Sequence, residues 1–283
     1  MATNYAHPEA LVDTAWLADH AKDPNVRVFE VDVDTTSYDQ GHVAGAVGLN
    51  WRTDLQQQPI RDLIDKKQLE ELLGKSGVTK DTTIVVYGDN NNWFAAWFLW
   101  LLKYYGHKDA RLANGGRAKW VAEGRPLVTE RPTLAPAEYK ASGPDASIRA
   151  LRDYVLEKVT GNGAKIIDVR SPKEYAGELL APENLPQEGA QRGGHIPGAQ
   201  NVPWATAVAE DGRFKSADEL RSIYEGKGLS AKGETIAYCR IGERSAHTWF
   251  VLKYLLGHDR VRNYDGSWTE WGSLIGVPIE KGG

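Results

Sequence analysis

The sequence predicts an α/β protein made of two similar domains, each a mostly parallel sheet flanked by helices, and three observations carry that reading. The first is an internal repeat. Gly41-His42-Val43-Ala44-Gly45-Ala46 with Trp51 recurs as Gly194-His195-Ile196-Pro197-Gly198-Ala199 with Trp204, and the His-to-Trp separation is nine in both (51 minus 42, 204 minus 195). Tyr87, Gly106-His107, Gly115 and Trp120 recur as Tyr238, Gly257-His258, Gly266 and Trp271 at a constant offset of 151 (238 minus 87). A repeat this long exceeds a solenoid unit, so it describes two globular domains. The second observation is the alternation of short apolar runs with helix-period segments, the pattern of a parallel α/β sheet. The third is residues 125–147, which hold four prolines and no clean period, and so read as a connection. The boundaries expected are a first domain at 1–130, a linker at 131–147 and a second domain at 148–283.

Whole-chain properties narrow the function classes. The 283 residues carry 34 basic and 38 acidic side chains, a net charge of −4, so no basic field advertises a nucleic acid or an anionic membrane as partner. The start, MATNYAHPEALVD, lacks a basic stretch followed by an apolar one, and no apolar run is long enough to span a bilayer. The expected location is cytoplasmic. A single cysteine, Cys239, fits a reducing compartment and permits no intrachain disulfide. The seven histidines are scattered without ligand spacing, so neither a metal nor another cofactor is expected.

In chain order, the first half places strands at Val26 to Val31 and Thr83 to Tyr87, rich in β-branched residues, with a helix at Lys66 to Leu73. The second half repeats this with strands at Lys165 to Val169 and Thr235 to Tyr238 and a helix at Asp218 to Gly226. Ile166-Ile167-Asp168-Val169-Arg170 brings Asp168 and Arg170 to the carboxyl edge of the sheet, where sites in this architecture lie. Taken alone, the pair reads as a salt bridge or a turn cap. The first half has Glu30-Val31-Asp32 there, without the arginine. His42 and His195 occur in both halves and therefore read as turn residues. One asymmetry stands out: Tyr38 and His42 are four apart, but Tyr175 and His195 are twenty apart, which marks residues 176–193 as an insertion. Such a segment reads first as a surface loop, and its anchors also place it near the mouth of a site around Cys239.

Cys239 lies where the second half's last predicted strand meets a helix, Ala246 to Leu256, that stops at Gly257. The start of a helix presents unpaired N–H groups and a partial positive charge, so Cys239-Arg240-Ile241-Gly242-Glu243-Arg244-Ser245 reads as an anion-holding loop. The amides of Ile241, Gly242, Glu243 and Ser245 would face the sulfur, and Arg240 and Arg244 would face an anion. These groups predict a thiol that ionises more readily than an ordinary one. At the offset of 151, Cys239, Arg240 and Arg244 fall on Gly88, Asp89 and Trp93, so the first half lacks the nucleophile and both arginines. Two chemistries use such a loop: phosphoryl transfer through Cys-x5-Arg, and sulfur transfer through a persulfide. Four residues separate Cys239 from Arg244, a loop short for a phosphate.

CRIGERS followed by AHTWFVL, together with GHxxGA in both halves and the closing Asp265-Gly266-Ser267-Trp268, resembles the rhodanese family and its thiosulfate sulfurtransferases. The resemblance spans nearly the whole chain and implies two rhodanese-like domains, the second catalytic. It implies a Cys239 persulfide that carries the sulfane sulfur of thiosulfate to a thiophilic acceptor: cyanide in vitro, a thiol, or another protein. It implies that Asp168 and Arg170 organise the loop from behind, while Arg244 and Arg240 meet a small anionic donor. Some animal members carry a lysine and an arginine where this chain has Ile241 and Glu174, so donor charge must be met differently here. Alternatives are a 3-mercaptopyruvate sulfurtransferase, a noncatalytic persulfide carrier or binding protein, and a phosphatase or arsenate reductase.

Overall fold

The computed structural model describes residues 4–161, 163–182 and 189–282. Two compact units emerge. The first comprises Glu9–Asp145 with Glu210–Phe214, and the second Met1–Pro8 with Ala146–Ala209 and Lys215–Gly283.

The first unit is built on strands β1 (Leu11–Val12), β2 (Val26–Asp32), β3 (Val47–Asn50), β6 (Thr83–Tyr87) and β7 (Ala110–Ala113), with a small ribbon of β4 (Gln56–Gln57) and β5 (Asp62–Leu63) outside the main sheet. The main sheet runs β1-β7-β6-β2-β3 and every pairing in it is parallel. In the second unit, β8 (Lys165–Asp168), β9 (Gln200–Asn201), β10 (Glu234–Tyr238) and β11 (Arg260–Asn263) run β11-β10-β8-β9, again wholly parallel. The two orders match strand for strand, apart from β1. In the second unit a single parallel bridge between Arg149 and Asn263 stands in its place. Two α/β domains, each a mostly parallel sheet flanked by helices, are thus what the chain forms.

The strands are apolar on both faces because helices cover both. In the second unit Ile166, Ile236, Tyr238 and Trp268 share a core with Val155 and Ile196, and in the first Val28, Val85 and Tyr87 do so with Leu17 and Val43. Each such side chain contributes about 1.5–3 kcal/mol by leaving water. Capping boxes start the helices Lys66–Lys75 (Asp65, Gln68), Pro172–Ala176 (Ser171, Glu174) and Ala217–Glu225 (Ser216, Glu219), as their Ser/Asp-x-x-Glu/Gln spacing dictates.

Residues 131–145, expected to connect the domains, form neither helix nor strand yet pack on the first unit. Ala137 donates to Gly74 O at 2.9 Å, and Ser142 and Gly143 donate to Tyr105 O. The segment Glu210–Phe214 also belongs to the first unit, where Asp211 pairs with Lys119 at 3.1 Å and Phe214 N–H donates to Asn114 Oδ1 at 3.0 Å. Among the described residues no helix is long and apolar enough to cross a membrane.

Candidate active site

The loop of interest links β10 to the helix Glu243–Phe250, which continues through a wider turn at Val251–Leu255. Gly242 caps the helix at φ +101°, a left-handed conformation that favours glycine. A Cβ there would also lie 2.8 Å from Asp265 Cα, so both backbone angle and space require glycine.

That close approach is part of a wider anchoring of the loop to residues 263–269. Cys239 N–H donates to Ser267 Oγ at 3.1 Å, and Ser267, at φ +52°, donates onward to Tyr264 O at 2.7 Å. The carbonyls of Cys239 and Arg240 accept from Trp268 and Thr269 N–H, both at 3.0 Å. Asn263 accepts from Ser245 Oγ at 2.6 Å and donates to Gly242 O at 3.2 Å. Asp265 is held from its other side by two hydrogen bonds from Arg149, at 2.9 and 3.0 Å. The Asp265-Gly266-Ser267-Trp268 motif marks this anchor in the sequence, but nothing local assigns Asn263 or Arg149 to it.

Cys239 itself is fully buried, and its sulfur is surrounded by polar groups. Gly242 N–H donates to Sγ at 3.2 Å, the Ser245 hydroxyl approaches at 3.6 Å, and the thiol donates to Glu243 Oε2 at 3.2 Å. Of the four amides expected to face the sulfur, Gly242 donates at 3.2 Å and Ser245 adds a backbone hydrogen bond, while Glu243 engages the sulfur through its side chain. The expectation of an easily ionised thiol is corrected by this environment. Burial pushes the Cys239 thiol up and the Glu243 carboxylate adds to it, while Arg244 and the Ser245 hydrogen bonds oppose both. Helix-start arguments foresee the opposing groups and miss burial, which the local sequence does not display.

Arg244, expected to meet the substrate, is instead bidentate on Glu174, through Nη1 to Oε2 at 2.9 Å and Nη2 to Oε1 at 3.0 Å. Both side chains are buried. Glu174 Oε2 also accepts from Ser171 N–H and Oγ, so one carboxylate closes a helix cap and a buried ion pair. Burial pushes Glu174 up, but the hydrogen bonds and charge of Arg244 and the Ser171 amide outweigh it and hold it at about 2. The Arg240 side chain is buried as well.

Behind the loop, Asp168 and Arg170 form a fully buried pair at 2.6 Å. Arg170 Nη2 also donates to Gly194 O at 2.7 Å, and its guanidinium lies 4.6 Å from the centre of the Trp268 ring. Trp268 N–H in turn holds Cys239 O, so the strand end, the Gly194-His195 turn and the loop are tied together. His195 stacks on Tyr175 with ring centres 3.7 Å apart, as His42 stacks on Tyr38 at 3.9 Å. The insertion leaves that stack intact: its ends pinch where Gly177 lies so close to Gly193 and Gly194 that a Cβ would stand 2.7 Å from Gly194 N. Its far arm is held by Trp268 Nε1 donating to Arg192 O at 2.9 Å; residues 183–188 of the insertion lie outside the described residues. Among the described residues no group of three or more His, Cys, Asp or Glu side chains could hold a metal.

Comparison with known proteins gives the same outline. The rhodanese-like domain family matches residues 13–123 and 151–274. The "Sulfur carrier protein TtuD" of Thermus thermophilus is 56% identical over 282 residues, covering 98% of this chain and 99% of that protein. A "Putative thiosulfate sulfurtransferase" of Saccharopolyspora erythraea is 55% identical and covers 96% of each. Among solved structures, the 3-mercaptopyruvate sulfurtransferase SseA of Escherichia coli superposes with a TM-score of 0.78 at 28% identity, covering 92% of this chain and 98% of that one.

Proposed function

The chain belongs to the rhodanese family of sulfurtransferases, and from that premise we propose that it moves the sulfane sulfur of thiosulfate to a thiophilic acceptor through a persulfide on Cys239. The observation that carries this is the placement of the chain's only thiol at a strand-to-helix turn, with Gly242 N–H at 3.2 Å and the Ser245 hydroxyl at 3.6 Å directed at its sulfur. Sγ, once deprotonated, attacks the outer sulfur of thiosulfate; the S–S bond breaks and its electron pair leaves on sulfite. The same donors then hold the persulfide. An acceptor such as cyanide or a thiol takes the outer sulfur and restores the thiolate. Asp168 and Arg170 serve as positioning residues through Trp268.

The charge pattern supports a second reading. Arg244 is neutralised by Glu174 and Glu243 sits against the sulfur, so the loop offers a dianion less net positive charge than its two arginines suggest. A carrier that takes sulfur from another protein has less need of that charge, and a relative at 56% identity bears the name of a sulfur carrier.

Steady-state kinetics with thiosulfate and cyanide separate the readings. Parallel double-reciprocal lines, lost in Cys239→Ser, support the thiosulfate enzyme. Negligible turnover with thiosulfate and with 3-mercaptopyruvate, alongside rapid loading from a persulfidated protein, supports the carrier.

A further inference from the structure

Glu243 stands out because the mechanism above leaves its side chain unused. It is fully buried one helical turn from Cys239, and its Oε2 accepts the thiol S–H at 3.2 Å. Its Oε1 accepts no hydrogen bond and lies 3.4 Å from Arg244 Nε. A carboxylate withdrawn from water is costly unless something specific holds it, and here it is held against the sulfur. We propose that Glu243 is the proton acceptor for Cys239, a catalytic residue of the sulfur transfer proposed above, on which this inference rests.

Transfer along the existing hydrogen bond turns a thiol and a carboxylate into a thiolate and a carboxylic acid. No charge enters or leaves the buried loop, so the reaction avoids creating a second buried anion. The thiolate keeps its partners, Gly242 N–H and Ser245 Oγ–H. The Sγ lone pair then forms the new Sγ–S bond while the donor's S–S bond breaks and sulfite departs with the pair. When the acceptor removes the outer sulfur, the thiolate is restored and the proton on Oε2 returns to it. This account reconciles a thiol pushed up by burial with a nucleophile that works near neutrality.

The charged and titratable groups facing this pair are few and placed. Arg244 lies on the same helix and is bound to Glu174 of the helix Pro172–Ala176; Arg240 lies on the loop itself. Asp265, bound to Arg149, approaches from beside Gly242, and His247 follows one turn on, held neutral by burial that pushes its imidazole down to about 3.

The test is the pH dependence of Cys239 alkylation by iodoacetamide, which needs no sulfur donor, in the wild type and in Glu243→Gln. At about pH 6, more than two units below the ordinary thiol range of about 8.5, a thiol without a proton acceptor is nearly silent, whereas one whose proton passes to Oε2 as the sulfur attacks is not. The wild type is therefore expected to alkylate there, Glu243→Gln at least tenfold more slowly, and the variant to recover in the alkaline range where its thiol ionises unaided. That recovery also shows that the variant is folded. A wild-type thiol unreactive at that pH, or a variant that alkylates as fast or faster, overturns the proposal. Should thiosulfate fail as donor while this profile holds, only the donor assignment is lost.

Discussion

The two halves carry the same turn at the same sheet edge and have filled it with opposite chemistry. In the second half, residues 239–245 close around a sulfur that receives an N–H and a hydroxyl. In the first, Gly88 N–H is taken by Asn92 Oδ1 at 3.0 Å and Asp89 N–H by Asp32 Oδ1 at 2.7 Å, so the groups that would bind an anion bind the chain's own side chains. Asn90, Asn91 and Asn92 hold left-handed conformations there, which asparagine tolerates better than most residues. The scaffold beneath is nevertheless the same. Val43 N–H donates to Tyr87 Oη at 2.9 Å, as Ile196 N–H does to Tyr238 Oη at 3.0 Å. A guanidinium also joins the strand-end acid to the glycine carbonyl in both: Arg170 spans Asp168 and Gly194, and Arg117 spans Glu30 and Gly41. The difference teaches that the buried acid–arginine–tyrosine cluster belongs to the fold, whereas reactivity belongs to a handful of turn residues laid over it.

That contrast is sharpened most by Gly242→Ala. With φ at +101° and Asp265 Cα in the way, the added methyl forces the turn to shift and carries its N–H off the sulfur. Loss of sulfur transfer on the order of 10²-fold is expected, as for removal of one N–H donor at a reacting centre. Asn91→Ala, the offset position in the first half, is expected to leave transfer unchanged and to cost about 1 kcal/mol in thermal unfolding.

Next in size is a pair of matched variants. Glu174→Gln strands the buried Arg244 charge and should cost about 3–5 kcal/mol in chemical denaturation. Glu174 is depressed in the fold, so its contribution is present above its ordinary 4.5 and fades as pH falls toward about 2. The stability gap between wild type and variant should close over that window. Glu30→Gln also removes a partner of Arg117, but burial raises Glu30 and the Ser37 and Gly41 carbonyls still hold the guanidinium, so it should destabilise less. Only the variant at 174 should change the rate at which Cys239 loads sulfur. Equal effects on loading would erase the distinction between the halves.

A smaller effect than at Glu174 is expected at Asp32, in the turn without a thiol. Burial, then the charges of Asp89 and Glu30, push it up to about 8. A raised acid favours the fold fully below its ordinary 3.8, and that contribution is lost as pH rises through about 8. Asp32→Asn keeps the acceptor for Asp89 N–H without the charge, and should be more stable than wild type by on the order of 1–2 kcal/mol in the alkaline range, with no difference below pH 3.8. Unfolding midpoints across that range check it.

The repeat at offset 151, the parallel alternation and the turn holding Cys239 are all legible in the sequence because each is local or recurs. What escapes it is long-range pairing. Arg117 replaces the arginine that the first half lacks at its strand end, yet lies 87 residues from Glu30, at the position offset to Trp268. Glu174 reaches Arg244 across 70 residues, with the insertion between. Neither partnership has a spacing that a helix or a hairpin would produce, and only the packed sheet edge brings them together. The direction of the Cys239 shift escapes for the same reason, since the loop's charges are visible in sequence and its burial is not.

The central claim, that the chemistry resides in the second turn alone, meets its most direct test in intact mass spectrometry. The reduced protein is incubated with thiosulfate, freed of excess, and weighed beside Cys239→Ser, which retains the whole first half. Gain of one cyanide-removable sulfur atom by the wild type and none by the variant is the predicted result. A gain in the variant, or none in either, would contradict it.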